Sequence, residues 1–325
     1  MKRRTLLAGL CATISARALP GHGQTPAPRV SLLTHSKDAA AATRIQSFRD
    51  RMKALGYEER RNVLIEVHRG EELSRVATDR IVAEVIATKP EVIVTGGYAA
   101  RAAAARTKSI PIVSAYSGDI VDAGLITSLA HPGGNVTGVQ LMALELAGKR
   151  IELLKELLPN LRLVGVIADP GHAGEHRERD VSLKAAARLG ITISYHPARN
   201  FEEYDGALAA ARGAGVEALL LFPDTVTNNR AAPTAVFALQ YKLPTVAGWD
   251  NYAEDGQLIS YGPSLRVTWA RLAYFVDRIL KGADPGTLPV ELPTIVEMVV
   301  NLKTARALGL KIPQSVQLRA DRMIE

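Results

Sequence analysis

From Arg29 onward, short apolar runs alternate with longer stretches of helical period. Val30–Leu33 predicts a strand and Ala39–Leu55 a helix that stops at Gly56. Val63–Val67 is the next strand, and Arg75–Ala87 is helical, with Val76, Ile81, Val82, Val85 and Ile86 as its apolar stripe. Glu91–Val94 is a strand running into Thr95-Gly96-Gly97. An alanine-rich helix over Tyr98–Thr107 and a strand over Ile110–Ala115 complete this half.

The same alternation resumes after an extended segment, Asn135–Gln140. Helices are expected over Leu144–Leu158, Gly174–Leu189, Phe201–Ala214 and Val226–Tyr241, and strands over Leu163–Ile167, Thr192–Tyr195, Ala218–Phe222 and Pro244–Ala247. Gln257–Tyr261 follows as a strand and Leu265–Leu280 as a long helix. A proline-punctuated stretch (Pro285, Pro289, Pro293) then leads into a β-rich run over Thr294–Val300 and a short helix. Alternating β and α elements bury both faces of a parallel sheet. At 325 residues the chain exceeds what one core serves, so the expected fold is α/β with two doubly wound lobes.

Composition changes this picture at the N-terminus. Lys2, Arg3 and Arg4, an apolar stretch over Leu6–Ile14 and Ala16-Arg17-Ala18 read as a cleaved export signal, residues 1–18, by the Sec or twin-arginine route. Residues 19–28 are expected to be a disordered leader. The single cysteine, Cys11, falls inside the signal, so the exported chain carries no thiol, as suits an oxidising compartment. The formal charge of +7 also shrinks, because removing residues 1–18 leaves 36 basic against 33 acidic residues, or +3. Neither a basic stripe with interleaved aromatics nor a Walker, G-x-G-x-x-G or G-x-S-x-G motif is present. Nucleic-acid binding, nucleotide chemistry and acyl transfer lack support.

Five blocks carry a resemblance to a known family. They are Phe48-Arg49…Leu55-Gly56-Tyr57…Asn62–Glu66, His131-Pro132-Gly133-Gly134-Asn135–Val139, Gly148-Lys149-Arg150–Pro159, Ser260-Tyr261-Gly262-Pro263-Ser264, and the C-terminal Asp277–Glu325. Together they resemble ABC-transporter substrate-binding proteins of the tryptophan/tyrosine type, which have the type I periplasmic-binding-protein fold. The resemblance implies two lobes joined by three crossings: lobe I over 29–138 and 262–288, lobe II over 139–261 and 289–325. It further implies a monomer in the periplasm that captures a small solute, an aromatic amino acid or related aromatic carboxylate, and hands it to an inner-membrane ABC permease, with no cofactor and no catalysis. Pro132-Gly133-Gly134 suits a hinge between the lobes or a tight loop before a strand.

Ligands in such sheets sit beyond the carboxyl ends of the strands, near helix N-termini. The residues so placed are Ser36; Gly97, Tyr98 and Ala99; Ser117, Gly118 and Asp119; Asp169; Asp224 and Thr225; and Trp249 and Asp250. Gly96-Gly97 would let the backbone approach a carboxylate, or merely let helix and strand pack. Trp249, Tyr252 and Tyr261 cluster in a chain that is only 5% aromatic, which suits a flat solute or a core. Asp250 could pair with a ligand ammonium or cap a helix. Asp169-Pro170-Gly171-His172 replaces the asparagine- and proline-rich turn of many family members. Its continuation, His172-x-x-Glu175-His176, matches an inverted zinc-peptidase motif, so a metal-dependent hydrolase is one alternative reading. A sensory module with the same clamshell is another. No histidine is expected near Ser117 and Asp119.

Overall fold

The computed structural model describes residues 27–34, 39–69 and 74–325; the expected signal, most of the leader, and Ser36 lie outside the described residues. The first lobe runs β1 (Arg29–Thr34), α1 (Ala39–Ala54), β2 (Leu64–Arg69), α2 (Arg75–Ala87), β3 (Val92–Gly96), α3 (Gly97–Arg106), β4 (Ile112–Tyr116) and β5 (Val136–Gln140). Its sheet has the order β2-β1-β3-β4-β5 and is parallel throughout. The second lobe runs α4 (Ala143–Leu157), β6 (Leu163–Ala168), α5 (Glu175–Arg188), β7 (Thr192–Pro197), α6 (Phe201–Gly213), β8 (Ala218–Leu221), α7 (Thr225–Asn229), α8 (Ala231–Gln240), β9 (Thr245–Ala247), α9 (Asp250–Glu254) and β10 (Ile259–Pro263). The chain then returns to the first lobe as α10 (Leu265–Leu280). It finishes on the second as β11 (Val296–Asn301), α11 (Leu302–Leu308), α12 (Gln314–Arg319) and β12 (Arg322–Ile324). The second sheet has the order β12-β11-β10-β9-β8-β6-β7.

Two α/β lobes were expected and are found, with one departure from an all-parallel pattern: β11 pairs antiparallel with β10. The cause is the crossings. The chain leaves the second sheet at the end of β10 and re-enters at the same end, so the returning strand must point the other way. The helix expected over Val226–Tyr241 is broken into α7 and α8 at Arg230. Pro233 lacks an N–H, and its ring would meet the carbonyl of Asn229 in a continuous helix.

Strand pairing also places the crossings. The Pro132-Gly133-Gly134 segment is not a hinge; it is the loop entering β5 inside the first lobe, where the Gly133 N–H donates to the Gly286 carbonyl. β5 itself stays with β4 as far as Gln140, so Val139 and Gln140 belong to the first sheet. Gly138 is required there, because its φ is +134° and a Cβ would lie 2.1 Å from the Ser114 carbonyl oxygen. Gly262 and Pro263 belong to the second sheet through β10, and Val290 and Glu291 still bond the carbonyls of Leu129 and Gly138 in the first lobe. The chain therefore passes between lobes at 140–142, 263–265 and 291–295. These strands are tied sideways by Gln140 N–H to Glu291 O and Ser264 N–H to Ile295 O. A bidentate Arg271–Glu291 pair, both contacts 2.7 Å, pins the third crossing to α10.

In the first lobe Ile45, Phe48 and Met52 form the buried stripe of α1, which packs along α10. In the second, α4 buries an arginine. Arg150 is 1% exposed and donates to the carbonyls of Tyr261 (2.9 Å) and Ala143 (3.2 Å) and to Glu178 Oε1 of α5 (3.2 Å). Removing one member of a buried pair strands the other charge, at a cost of about 3–5 kcal/mol. Arg150→Met should lose about that much stability in urea unfolding at pH 8, and adding Glu178→Leu should restore most of it. A loss below about 1 kcal/mol in the single variant would show that the pair does not hold the lobe together.

Candidate functional site

The carboxyl ends of the parallel strands in both sheets face each other across the crossings, and the lobes are closed on one another. Arg75 at the start of α2 reaches Asp169 (3.2 Å), and Ser117 Oγ after β4 meets His172 Nε2 (2.7 Å). The Asp119 N–H donates to the Ala173 carbonyl (3.1 Å), and Arg177 of α5 pairs with Asp119 (2.9 Å) and Asp122 (3.3 Å). At the centre Gly97 touches Thr225. It has a φ of +54°, and a Cβ there would lie 2.5 Å from Thr225 Oγ1. Glycine at the first position of α3 is thus what lets the lobes meet.

Two chambers flank that contact, and both residues line each of them. The inner chamber, about 90 Å³, lies toward the crossings and is walled by Thr34, Arg44, Ser117, Asn228, Trp249 and Trp269 among others. The chain's two tryptophans both stand there. The outer chamber, about 320 Å³, opens between Arg75, Tyr98, Arg101, Tyr116, His172 and Phe201. Its volume is at the lower end of small-molecule sites, roughly 300–1,000 Å³.

The helix starts facing this cleft are not equivalent. α7 is closed by its own capping box: Asp224 accepts from Thr227 N–H (2.8 Å) and also from Asp169 N–H (2.9 Å). Burial pushes the Asp224 carboxyl up to about 7, against the pull of those N–H donors. α3 has Gly96 at its N-cap and no side-chain cap, so its first N–H groups are not met by a capping side chain.

The residues singled out in the sequence divide accordingly. Gly97, Ser117, Thr225 and Trp249 come together at the inner chamber, and Tyr98 and Asp169 line the outer one. Ala99 is fully buried in the first-lobe core. Gly118 and Asp119 lie to one side, beside a gap of about 40 Å³. Asp119 Oδ1 accepts from the N–H groups of Val121 and Asp122 while Oδ2 holds Arg177. Asp250 faces the second crossing, where its carboxylate accepts from Ser264 Oγ (3.0 Å) and Leu265 N–H (3.2 Å). Of the three clustered aromatics only Trp249 reaches a chamber; Tyr252 is fully buried against Thr227 (2.7 Å), and Tyr261 packs on the second-lobe core. Arg44, Asn228, Trp269, Arg101 and Phe201 were not singled out. For Trp269 a signal existed, since it follows the second crossing by one helical turn.

The family model described as "ABC transporter substrate binding protein" matches residues 30–324. The chain belongs to that family. A curated tyrosine-binding protein of Clostridioides difficile (strain R20291) is 24% identical over 258 residues, covering 79% of this chain and 73% of the relative. A conserved domain protein from Vibrio cholerae O1 biovar El Tor superposes with a TM-score of 0.83 at 28% identity, over 91% of this chain and 99% of its own. A domain from Streptococcus pneumonia, solved in complex with L-Trp, also scores 0.83, at 22% identity, over 92% of this chain and 100% of its own.

In this substrate-binding protein His172 is the unexpected element. Contrary to expectation a histidine does stand beside Ser117, contributed by the opposite lobe. The zinc-peptidase pattern is taken apart in the process. His172 lies in the turn before α5 and faces Ser117, Glu175 is buried at the start of α5, and His176 is exposed. Among the described residues no group of three or more His, Cys, Asp or Glu is placed to hold a metal. Burial first, and Arg101 second, push the His172 imidazole down to about 4. An exposed imidazole titrates near 6.5. The neutral ring's contribution to closure is therefore complete above pH 6.5 and is lost as pH falls from 6.5 to about 4, where only the open form takes the proton. Small-angle scattering should show the wild type opening across that window more than His172→Gln does; identical pH profiles would exclude His172 as the cause.

Proposed function

We propose that this protein captures a small aromatic solute, an aromatic amino acid or related aromatic carboxylate, between its lobes and delivers it to an ABC permease. The observation that carries this is the cleft formed by the two chambers, which meet at Gly97 and Thr225: an uncapped helix start and two tryptophan side chains stand on the inner side and about 320 Å³ opens on the outer. A solute bound there touches both lobes at once and so favours the closed form. The family supports the transport role, and the tyrosine-binding relative and the L-Trp complex support the aromatic class. We place the protein outside the cytoplasmic membrane, exported by the sequence at residues 1–18, and working as a monomer without catalysis.

The residues we assign to the solute are Gly97, Ser117, Thr225 and Trp249 in the inner chamber and Tyr98 in the outer, with Ser36 of the β1–α1 loop. The Ser117–His172 pair is not assigned a chemical step. Among the described residues no carboxylate orients the ring, and its low proton affinity makes it a weak base.

A thermal-shift panel of aromatic amino acids, aromatic carboxylates, branched amino acids and purines tests the class, using protein refolded to remove carried-over solute. A solute at 100 times its Kd stabilises by about 2.7 kcal/mol, a shift of a few degrees. An aromatic hit is expected, and hits confined to the branched amino acids or purines would reject the class. Gly97→Val should lose the shift, because the added side chain meets Thr225 of the opposite lobe, while the left-handed φ of +54° costs the variant about 1–3 kcal/mol of its own stability and leaves a cooperative transition in which the shift can be read. An unchanged shift in that variant would remove α3 from the site.

A further inference from the structure

The two chambers differ in what they can hold. A cavity of about 150 Å³ takes a single benzene ring. The inner chamber, at about 90 Å³, is smaller than that, whereas the outer one, at about 320 Å³, has room for a ring and its substituents. Both lobes line the outer wall with rings, Tyr98 and Tyr116 from the first and Phe201 from the second. Val76 of α2 stands on the same wall and is 81% exposed, an apolar side chain that a seated ring would cover.

This wall also carries three guanidinium groups. Arg75 pairs with Asp169, and Arg199 with Glu203. Arg101 differs from both. Among the described residues it forms no ion pair, and its one side-chain hydrogen bond is a long contact of 3.4 Å with the Gly171 carbonyl. It stands one turn beyond Gly97 on α3, so the two share the face that looks onto the cleft. Burial dominates the proton affinities of the Tyr116 phenol and the His172 imidazole, which line the same chamber, and Arg101 is the largest charge acting on each. A guanidinium so placed suits a planar oxyanion. Its fork matches a carboxylate with two parallel N–H···O bonds, and such charge-assisted bonds are the strong ones.

Resting on the aromatic reading above, we infer that the solute's ring lies in the outer chamber and its carboxylate pairs with Arg101, which makes Arg101 the residue that selects for an acid. The experiment is calorimetric titration of solute-free protein with acids and their primary amides, L-tryptophan against L-tryptophanamide and 3-(4-hydroxyphenyl)propionate against 3-(4-hydroxyphenyl)propionamide. In the wild type the acid of a pair should bind at least about tenfold more tightly, the scale of a hydrogen bond to a charged group. Arg101 is exposed, so Arg101→Gln should leave thermal unfolding nearly unchanged, yet bring acid and amide to within about threefold of each other. Val76→Ser should weaken acid and amide alike, by about fourfold, the scale of one lost methyl contact. An acid preference that survives in full in Arg101→Gln, or is missing from the wild type, would overturn the inference and leave the aromatic class standing. The same results would follow if Glu71 or Glu72, which lie outside the described residues, already held Arg101. Unchanged binding of both members in Val76→Ser would overturn the placement of the ring. Binding of no acid and no amide would reject both the inference and the aromatic class on which it rests.

Discussion

Arg150 is the group on which the geometry of the clamshell depends. It is buried in α4, yet its guanidinium grips the first residue of α4, just past the first crossing, and Tyr261, just before the second. Its third partner, Glu178, stands on α5, the helix that follows the loop closing on the first lobe. Burial lowers the proton affinity of Arg150 and raises the Glu178 carboxyl to about 8, each opposed by the other's charge. Such a pair is expensive to bury, and an apolar core of equal volume would often be as stable. What apolar side chains cannot do is fix two backbone carbonyls and one helix in a single plane of donors. The spacing of the crossings in the second lobe is set by that fork, and the closing loop hangs from it.

Closure itself rests on many small contacts. Arg75–Asp169 and Arg177–Asp119 are partly exposed pairs of the kind worth about 0–1 kcal/mol each. Ser117–His172 is better shielded, but it exchanges water partners for one hydrogen bond and nets about 1 kcal/mol. Contacts of this size keep open and closed forms within reach of one another, which lets a solute decide between them. The Gly97–Thr225 contact sets the geometric limit of that motion, because backbone there meets a side chain of the other lobe directly.

The sequence made the elements legible wherever burial imposed a period. Arg75–Ala87 and Leu265–Leu280 were read to the residue, since each carries an apolar stripe bounded by polar ends. The crossings were not readable in the same way. Pro132-Gly133-Gly134 has the composition of a hinge, but hinges are defined by which strands pair, and pairing leaves no local mark. The break at Arg230 was signalled by Pro233 and overlooked because the apolar pattern continues through it. Position after a strand put Gly97, Ser117 and Thr225 on the cleft between the lobes, whereas side-chain commitment stayed hidden. Asp119 and Asp250 also follow strands, but nearby backbone N–H groups, and for Asp250 the Ser264 hydroxyl, already engage their carboxylates.

His172 shows how little a residue pair says without its surroundings. A serine hydroxyl 2.7 Å from an imidazole is the geometry of an activated nucleophile. Here the two come from different lobes, so the pair exists only while the cleft is shut. The neighbouring charge is Arg101, which disfavours an imidazolium that a catalytic histidine must form and that a buried acid would normally stabilise. The same features suit a contact that must stay neutral, form on closure and release on opening. The placement of Ser117 and His172 on opposite lobes ties their contact to closure, and that dependence is what the proposed capture role would draw on.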